Sequence, residues 1–246
     1  MENYVKGRCI IVTGGSSGFG LATARLLLEC GARVAITGRD AARLDAAVRK
    51  LGGGDALLAV TADATQTADW RRLVAAVLER FGALDVLVNN HGGGIKIAPT
   101  EEMDDAAIAA VLDLNLASVI RGCREVLPVM RAAGHGHILN VSSACARHSW
   151  PGWGVYTAAK AGLVGYTRCL ALEMAPWGGK ATCFIPGAAR TNFSQAAHLD
   201  DSWQAGLPDA HDFARTLVHC LDVPPNSVIE EVSIWGTEQI KMLNPF

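Results

Sequence analysis

Short runs of apolar, often β-branched residues alternate from one end of the chain to the other with longer stretches whose apolar positions recur at helical spacing. The runs at 9–13 (CIIVT), 33–37 (RVAIT), 56–60 (ALLAV), 85–89 (DVLVN), 137–141 (HILNV), 181–185 (ATCFI) and 228–234 (VIEEVSI) read as strands. Helical patterns fall near 18–30, 40–51, 67–81, 103–132, 155–175 and 209–222. A strand that is apolar on both faces has to be covered on both. The alternation therefore predicts an α/β fold, a doubly wound parallel sheet of seven strands in the order 3-2-1-4-5-6-7 with helices on both sides. No repeat, low-complexity tract or linker divides the chain, so residues 1–246 are expected to form a single domain. The stretch at about 187–208 shows no clear period and mixes turn formers with aromatic residues, as a lid over a site does.

Composition narrows the function by exclusion. The formal net charge is −2, without a run or stripe of Lys and Arg, so the electrostatic footprint of a nucleic-acid binder is missing. The N-terminal MENYVKGRCIIVTGG lacks the basic region and apolar stretch of a secretory signal, and no segment reads as the ~18 apolar residues of a membrane span. A cytoplasmic protein with no membrane partner is expected. Cysteines at 9, 30, 123, 145, 169, 183 and 220 show no CxxC spacing and read as buried, reduced thiols. His135 and His137, in GHGHI, have no acidic or cysteine cluster beside them, which favours a surface turn entering a strand over a metal site.

Two features carry chemistry. TGGSSGFG at 13–20 follows the first strand directly and opens a helix. Gly14, Gly18 and Gly20 there suit a tight turn that lets backbone amides approach a pyrophosphate, although the Gly-x-x-x-Gly-x-Gly spacing differs from the commonest dinucleotide form. The second strand ends at Thr37 and Gly38, followed by Arg39. An arginine here can pair with a 2′-phosphate where a carboxylate would hold a free ribose, so NADP is favoured and NAD is the alternative. Arg39 as a solvated surface residue is the competing reading, and Asp40 complicates the local field. The second feature is Tyr156 and Lys160, four residues apart on one helical face. A cation near a phenol favours phenolate and makes a proton donor and acceptor usable near neutrality. The plain alternative is a core tyrosine followed by a solvated lysine.

With Ser143 thirteen residues before Tyr156, the chain resembles the short-chain dehydrogenase/reductase family over essentially its full length. The matching pieces, in order, are TGGSSGFG at 13–20, Asp63, NNHG at 89–92, Asn115, Ser143, the Tyr156/Lys160 pair and PGAART at 186–191. The resemblance implies a Rossmann-like, NAD(P)-dependent oxidoreductase. Tyr156 would be the general acid/base, with Lys160 lowering its pKa and holding the nicotinamide ribose. Ser143 would hold the substrate oxygen. Asn115 would sit at a helix distortion that connects the lysine to solvent. Cofactor contacts implied are Gly14, Ser16, Ser17 and Phe19 at the turn, Asp63 and Ala64 near adenine, Asn90 and Gly92 along the ribose, and Ala189 and Thr191 near the carboxamide. Taken singly, Ser143 could cap a strand, Asn115 could be an ordinary helix residue and Asp63 a turn former.

One departure stands out. The family's usual NNAG reads NNHG here, so the His91 imidazole either points into the site toward substrate or turns away into a packing gap. Gly92, Gly93 and Gly94 after it suggest a pliable loop. Substrate contacts are expected from 144–155 and from the lid, with Trp150, Trp153, Phe193 and Trp203 as aromatic surface and Arg147 and His148 as polar neighbours. These suit a moderately hydrophobic or aromatic ketone or secondary alcohol. The tail LDVPPNSVIEEVSIWGTEQ lacks the DGG of many relatives and is similar to a branch that includes dehydrogenases of hydroxy acids and β-hydroxy amino acids. The family also implies a homo-oligomer, dimer or tetramer. The leading expectation is an NADP-preferring carbonyl reductase or alcohol dehydrogenase. The alternatives are an NAD-dependent hydroxy-acid or alcohol dehydrogenase, a cofactor-binding regulatory or scaffold protein without turnover, and a lyase-like or isomerase activity.

Overall fold

The computed structural model describes residues 3–191, 193 and 206–243. Strands β1 (Cys9–Thr13), β2 (Arg33–Gly38), β3 (Leu57–Thr61), β4 (Val86–Asn89), β5 (Gly136–Val141), β6 (Gly179–Pro186) and β7 (Glu231–Ile234) form a seven-stranded sheet. Its order is β3-β2-β1-β4-β5-β6-β7, and every neighbouring pair is parallel, as the periodicity predicts. The helices are α1 (Gly18–Glu29), α2 (Ala41–Leu51), α3 (Thr67–Phe81), α4 (Asp105–Leu112), α5 (Ser118–Ala133), α6 (Gly154–Met174), α7 (Ala210–Leu221) and α8 (Thr237–Leu243).

Alternation along β1 shows why both faces are covered. Ile11 joins Leu87 and Ile138 in a core completed by Trp70, Val126 and Leu163 from α3, α5 and α6. Its neighbours Ile10 and Val12 point the other way, joining Val88 and Leu139 against Leu27, Leu44 and Leu217 from α1, α2 and α7. Successive strand side chains face opposite sides of a sheet, so a strand buried on both sides has to be apolar at each position.

At the N-terminal ends of the strands one carboxylate ties three of them together. Asp85 accepts from the Cys9 amide at 2.7 Å, from Arg8 Nη1 at 3.0 Å and lies 2.9 Å from His135 Nε2. These residues sit at the starts of β1, β4 and β5.

Four expectations need correcting. The pattern over 103–132 is not one helix: α4 and α5 are separated by a π-helical turn, Asp113–Ala117. The stretch Asp105–Ala133 is also long and apolar enough, by length and composition, to cross a membrane. Here it carries the pairs Arg121–Asp113 and Arg71–Glu125 on its outer side and turns Val119, Cys123, Val126 and Met130 into the core. His137 is not on a surface turn: it is buried in β5, with Nε2 2.8 Å from Thr182 Oγ1. Of the thiols, all free, Cys169 is exposed and Cys30 half-buried. No cluster able to hold a metal occurs among the described residues.

Candidate active site

A cleft of about 830 Å³ opens at the C-terminal ends of the strands, where the chain leaves β1 toward one side and β4 toward the other. In parallel sheets this reversal of strand order is where ligands bind. The glycine turn forms the floor. A Cβ on Gly20 would stand 2.3 Å from the Gly14 carbonyl oxygen, so only glycine lets the helix start this close to the strand. Ser17 is the N-cap of α1 but makes no side-chain cap bond, and the first turn has no acid, which leaves the amides there free for an anion. Asn90 lines the cleft, and its Nδ2 secures the turn by donating to the Thr13 carbonyl at 2.9 Å. The Phe19 ring stacks on Phe213 of α7, with centroids 5.7 Å apart. Thr191 closes the cleft from above, its methyl within 3.4 Å of where a Gly18 Cβ would lie.

Toward the second strand the cleft is lined by Ser16, Gly38, Arg39, Arg43, Asp63 and Ala64. Asp40 caps α2 by accepting from the Arg43 amide at 3.0 Å and pairs with Arg43 Nε at 3.4 Å. Its carboxylate is thereby partly neutralised, and exposed Arg39 has no ion pair among the described residues. Arg43, absent from the sequence expectations, stands one helical turn past Arg39 and adds a second cation. Asp63 is held in a turn, its Oδ1 accepting from the Thr65 amide and hydroxyl at 2.9 and 2.8 Å.

At the opposite end Ser143, Tyr156 and Lys160 converge. Ser143 follows β5, its Oγ accepting from the Cys145 amide at 3.1 Å, and its hydroxyl stands beside the Tyr156 phenol, near enough to lower the phenol's pKa. Lys160, one turn further along α6, is 3% exposed and donates from Nζ to the Val141 carbonyl at 3.0 Å. Its Nζ lies 5.8 Å from the Tyr156 ring centroid. Burial lowers the lysine pKa to about 8. Burial also raises the phenol above its ordinary value, and the neighbouring Ser143 hydroxyl only partly offsets this. The expected easing of Tyr156 ionisation by Lys160 does not appear in the folded chain, where burial raises the phenol and it holds its proton.

Asn115 is buried in the π-turn and clamps the loop after β4. Its Oδ1 accepts the Gly93 amide at 3.0 Å, and its Nδ2 donates to Gly93 O and Val111 O, both at 2.9 Å. The helix distortion implied by the resemblance is present. Gly92 has φ 153°, and a Cβ there would come within 2.9 Å of Asn115 Oδ1 and 3.2 Å of Lys160 Nζ. The loop passes so close to the lysine because it carries no side chain.

His91 lies beneath this loop, and its hydrogen bonds determine its tautomer. Thr13 Oγ1 accepts from the Asn90 and His91 amides, and its single proton goes to Nδ1 at 2.7 Å in preference to the longer contact with Val88 O at 3.2 Å. Ser118 gives its proton to Leu114 O and accepts from Nε2–H at 2.8 Å. The ring is neutral and fully bonded, edge-on to Trp70 at 6.0 Å, and burial, helped by Lys160, lowers its pKa to about 3. His91 borders the cleft but offers no free nitrogen to a substrate; of the two sequence readings, the packing one holds.

The substrate wall is aromatic. Trp153 stacks on Phe193 with centroids 6.1 Å apart, and both meet the Tyr156 ring edge-on at 5.6 and 5.9 Å. Trp150 also lines the cleft, 6.3 Å from His148. Trp203 and the lid residues 192 and 194–205 lie outside the described residues. Trp235 and Gln239 complete the wall from behind β7. Sequence reading missed both as site residues, and the signal that could have found them is the glutamine ending the unusual tail.

The family profile described as short chain dehydrogenase matches residues 8–202. The chain belongs to the short-chain dehydrogenase/reductase family. It is 34% identical over 214 residues to 2-(R)-hydroxypropyl-CoM dehydrogenase of Xanthobacter autotrophicus, covering 83% of this chain and 81% of that one. Among solved structures it is similar to 3-ketoacyl-(acyl-carrier-protein) reductase from Brucella melitensis complexed with NADH, with TM-score 0.86, 29% identity and coverage of 95% and 98%. It is also similar to serine dehydrogenase complexed with NADP+, with TM-score 0.85, 26% identity and coverage of 92% and 93%. The glycine turn, the uncapped start of α1 and the continuous cleft fit the nicotinamide dinucleotide that this family uses.

Proposed function

We propose that residues 1–246 act as one dinucleotide-binding and catalytic domain, an NADP-preferring oxidoreductase of ketones and secondary alcohols of moderately hydrophobic or aromatic character. One observation carries this reading: the Tyr156 phenol, beside Ser143 and one turn before buried Lys160, lines the cleft that begins at the glycine turn. Bound nicotinamide supplies or receives the hydride. The chain's own residues do the rest. Ser143 and Tyr156 present two hydroxyls to one carbonyl oxygen, and the protonated phenol gives up its proton as charge develops there. Lys160 supplies the positive charge that stabilises the phenolate left behind. Trp153 and Phe193 keep water from the reacting atoms. Arg39 and Arg43 support the NADP preference, as two guanidinium groups suit a 2′-phosphate. Asp63, Ala64, Ser16, Ala189 and Thr191 line the remaining length of the cofactor path.

A scaffold without turnover has no use for an ammonium held at 3% exposure, which costs solvation free energy. The free thiols suit a reducing compartment such as the cytoplasm. Exposed Ile120 on α5 and Leu172 on α6 support a homo-oligomer, dimer or tetramer, joined along those helices. The test is NADPH consumption with a panel of ketones. Tyr156→Phe is expected to lower turnover at least ~100-fold, and a folded variant with full turnover would refute the mechanism.

A further inference from the structure

We infer that Gln239, on α8, is a specificity residue that reads a neutral hydrogen-bonding group on the substrate; the catalytic arm of its test rests on the oxidoreductase reading above. The amide reaches the cleft through a gap left by glycine. A Cβ on Gly187, just past β6, would stand 2.6 Å from Gln239 Oε1, so the glutamine occupies the space that a side chain at 187 would take. That oxygen is buried and has no hydrogen-bond partner among the described residues. A buried acceptor left unpaired costs about 1–3 kcal/mol, and Gln239 is one of the residues that line the cleft.

The charge distribution of the cleft identifies the class of ligand. Its charged lining residues other than Lys160, namely Arg39, Asp40, Arg43 and Asp63, all lie at the adenosine end. Lys160 donates to Val141 O and lies beneath the loop at Gly92. Residues 192–205 contain neither Lys nor Arg. A carboxylate, sulfonate or phosphate on the substrate finds no free counter-ion among the described residues that line this end of the cleft, whereas a carboxamide can bond both halves of the glutamine amide. The substrate class is a neutral, flat ketone or alcohol carrying an amide or hydroxyl group away from the reacting carbon.

The probes are acetophenones bearing a carboxamide, a methyl or a carboxylate at the meta or para carbon. Their dissociation constants from the NADP+-loaded protein are read by tryptophan fluorescence, and kcat/KM is read with NADPH. The carboxamide is expected to bind at least about tenfold tighter than the methyl and carboxylate compounds at one of the two positions, a difference of about 1.4 kcal/mol. Gln239→Leu should abolish that preference while leaving the methyl compound within about threefold, in keeping with the loss of one hydrogen bond. Gln239→Glu should weaken the carboxylate further. Equal affinities in the wild type, or equal changes for both neutral ligands in Gln239→Leu, would overturn the assignment. A preserved binding preference without turnover of any probe would refute the oxidoreductase reading and leave the role of Gln239 standing.

Discussion

Asn115 and Gly93 are joined by a reciprocal pair of hydrogen bonds, side-chain oxygen to amide at 3.0 Å and side-chain nitrogen to carbonyl at 2.9 Å. One residue of a helix thus mimics a strand partner for a glycine loop. The pair needs the π-turn, because Asn115 also bonds Val111 O four residues back. In Asn115→Leu three bonds go at similar volume. At about 1 kcal/mol each, a stability loss of roughly 2–4 kcal/mol is expected in urea unfolding. A fall in kcat/KM of at least about tenfold should accompany it as the loop above Lys160 loosens. Wild-type kcat/KM in the folded variant would separate the clamp from the chemistry.

Lys160 ties carbonyl reduction to pH. With its pKa lowered to about 8, the ammonium is largely intact at neutrality and is lost as pH rises past that value. The pH profile of kcat/KM for reduction, which reports the free enzyme, should be flat from about pH 6 to 7.5 and decline above about 8. A profile flat to pH 10 would show that the lysine charge is not needed.

The two buried imidazoles make the fold acid-sensitive. His91 and His137 are each lowered to about 3 by burial, against about 6.5 in an unfolded chain. Between those values the unfolded state binds protons that the native state excludes. Their contribution is fully present above about pH 6.5 and is lost progressively as pH falls toward 3. The combined slope is at most about 2.7 kcal/mol per pH unit, twice the single-site value. His91→Ala should halve the slope due to this pair while lowering stability at pH 7 through the lost ring packing and Ser118 bond, a loss limited because Thr13 can turn its hydroxyl to Val88 O at 3.2 Å. Urea midpoints at pH 7 and pH 5 in both proteins measure this; an identical loss in the variant would remove His91 from the account.

Cofactor choice is expected to rest on two arginines. Arg39→Ala and Arg43→Ala should each raise KM for NADP about tenfold, the value of one charge-assisted hydrogen bond. The effect on NAD should be small. An unchanged ratio of the two cofactors' kcat/KM in the double variant would refute the assignment.

Much of this architecture was legible in the letters because β1, β2, β4 and β5 are covered on both faces, and the resulting apolar runs are short, bounded and hard to read otherwise. Tyr156, Lys160 and Ser143 were legible for a different reason, local spacing on one helix and one strand end. The misses have a common cause. His91 depends on hydroxyls at 13 and 118 that are distant in sequence, and its tautomer follows only once those are in place. The Tyr156 shift depends on how deeply the ring is buried, which i,i+4 spacing does not report. Gln239 and Trp235 follow the edge strand β7, whose alternately exposed positions leave a weak pattern. Arg43 was hidden as one more charged residue on an amphipathic helix.

The Asp85 knot gives the sheet a division of labour. By fastening the N-terminal ends of β1, β4 and β5, at the pole opposite the cleft, it places a tether where no ligand-facing residue takes part. Loops at the C-terminal pole can then exchange side chains, lengthen or change partners without unpicking that knot. The scaffold is arranged so that new specificities can be acquired at one end while cohesion is kept at the other.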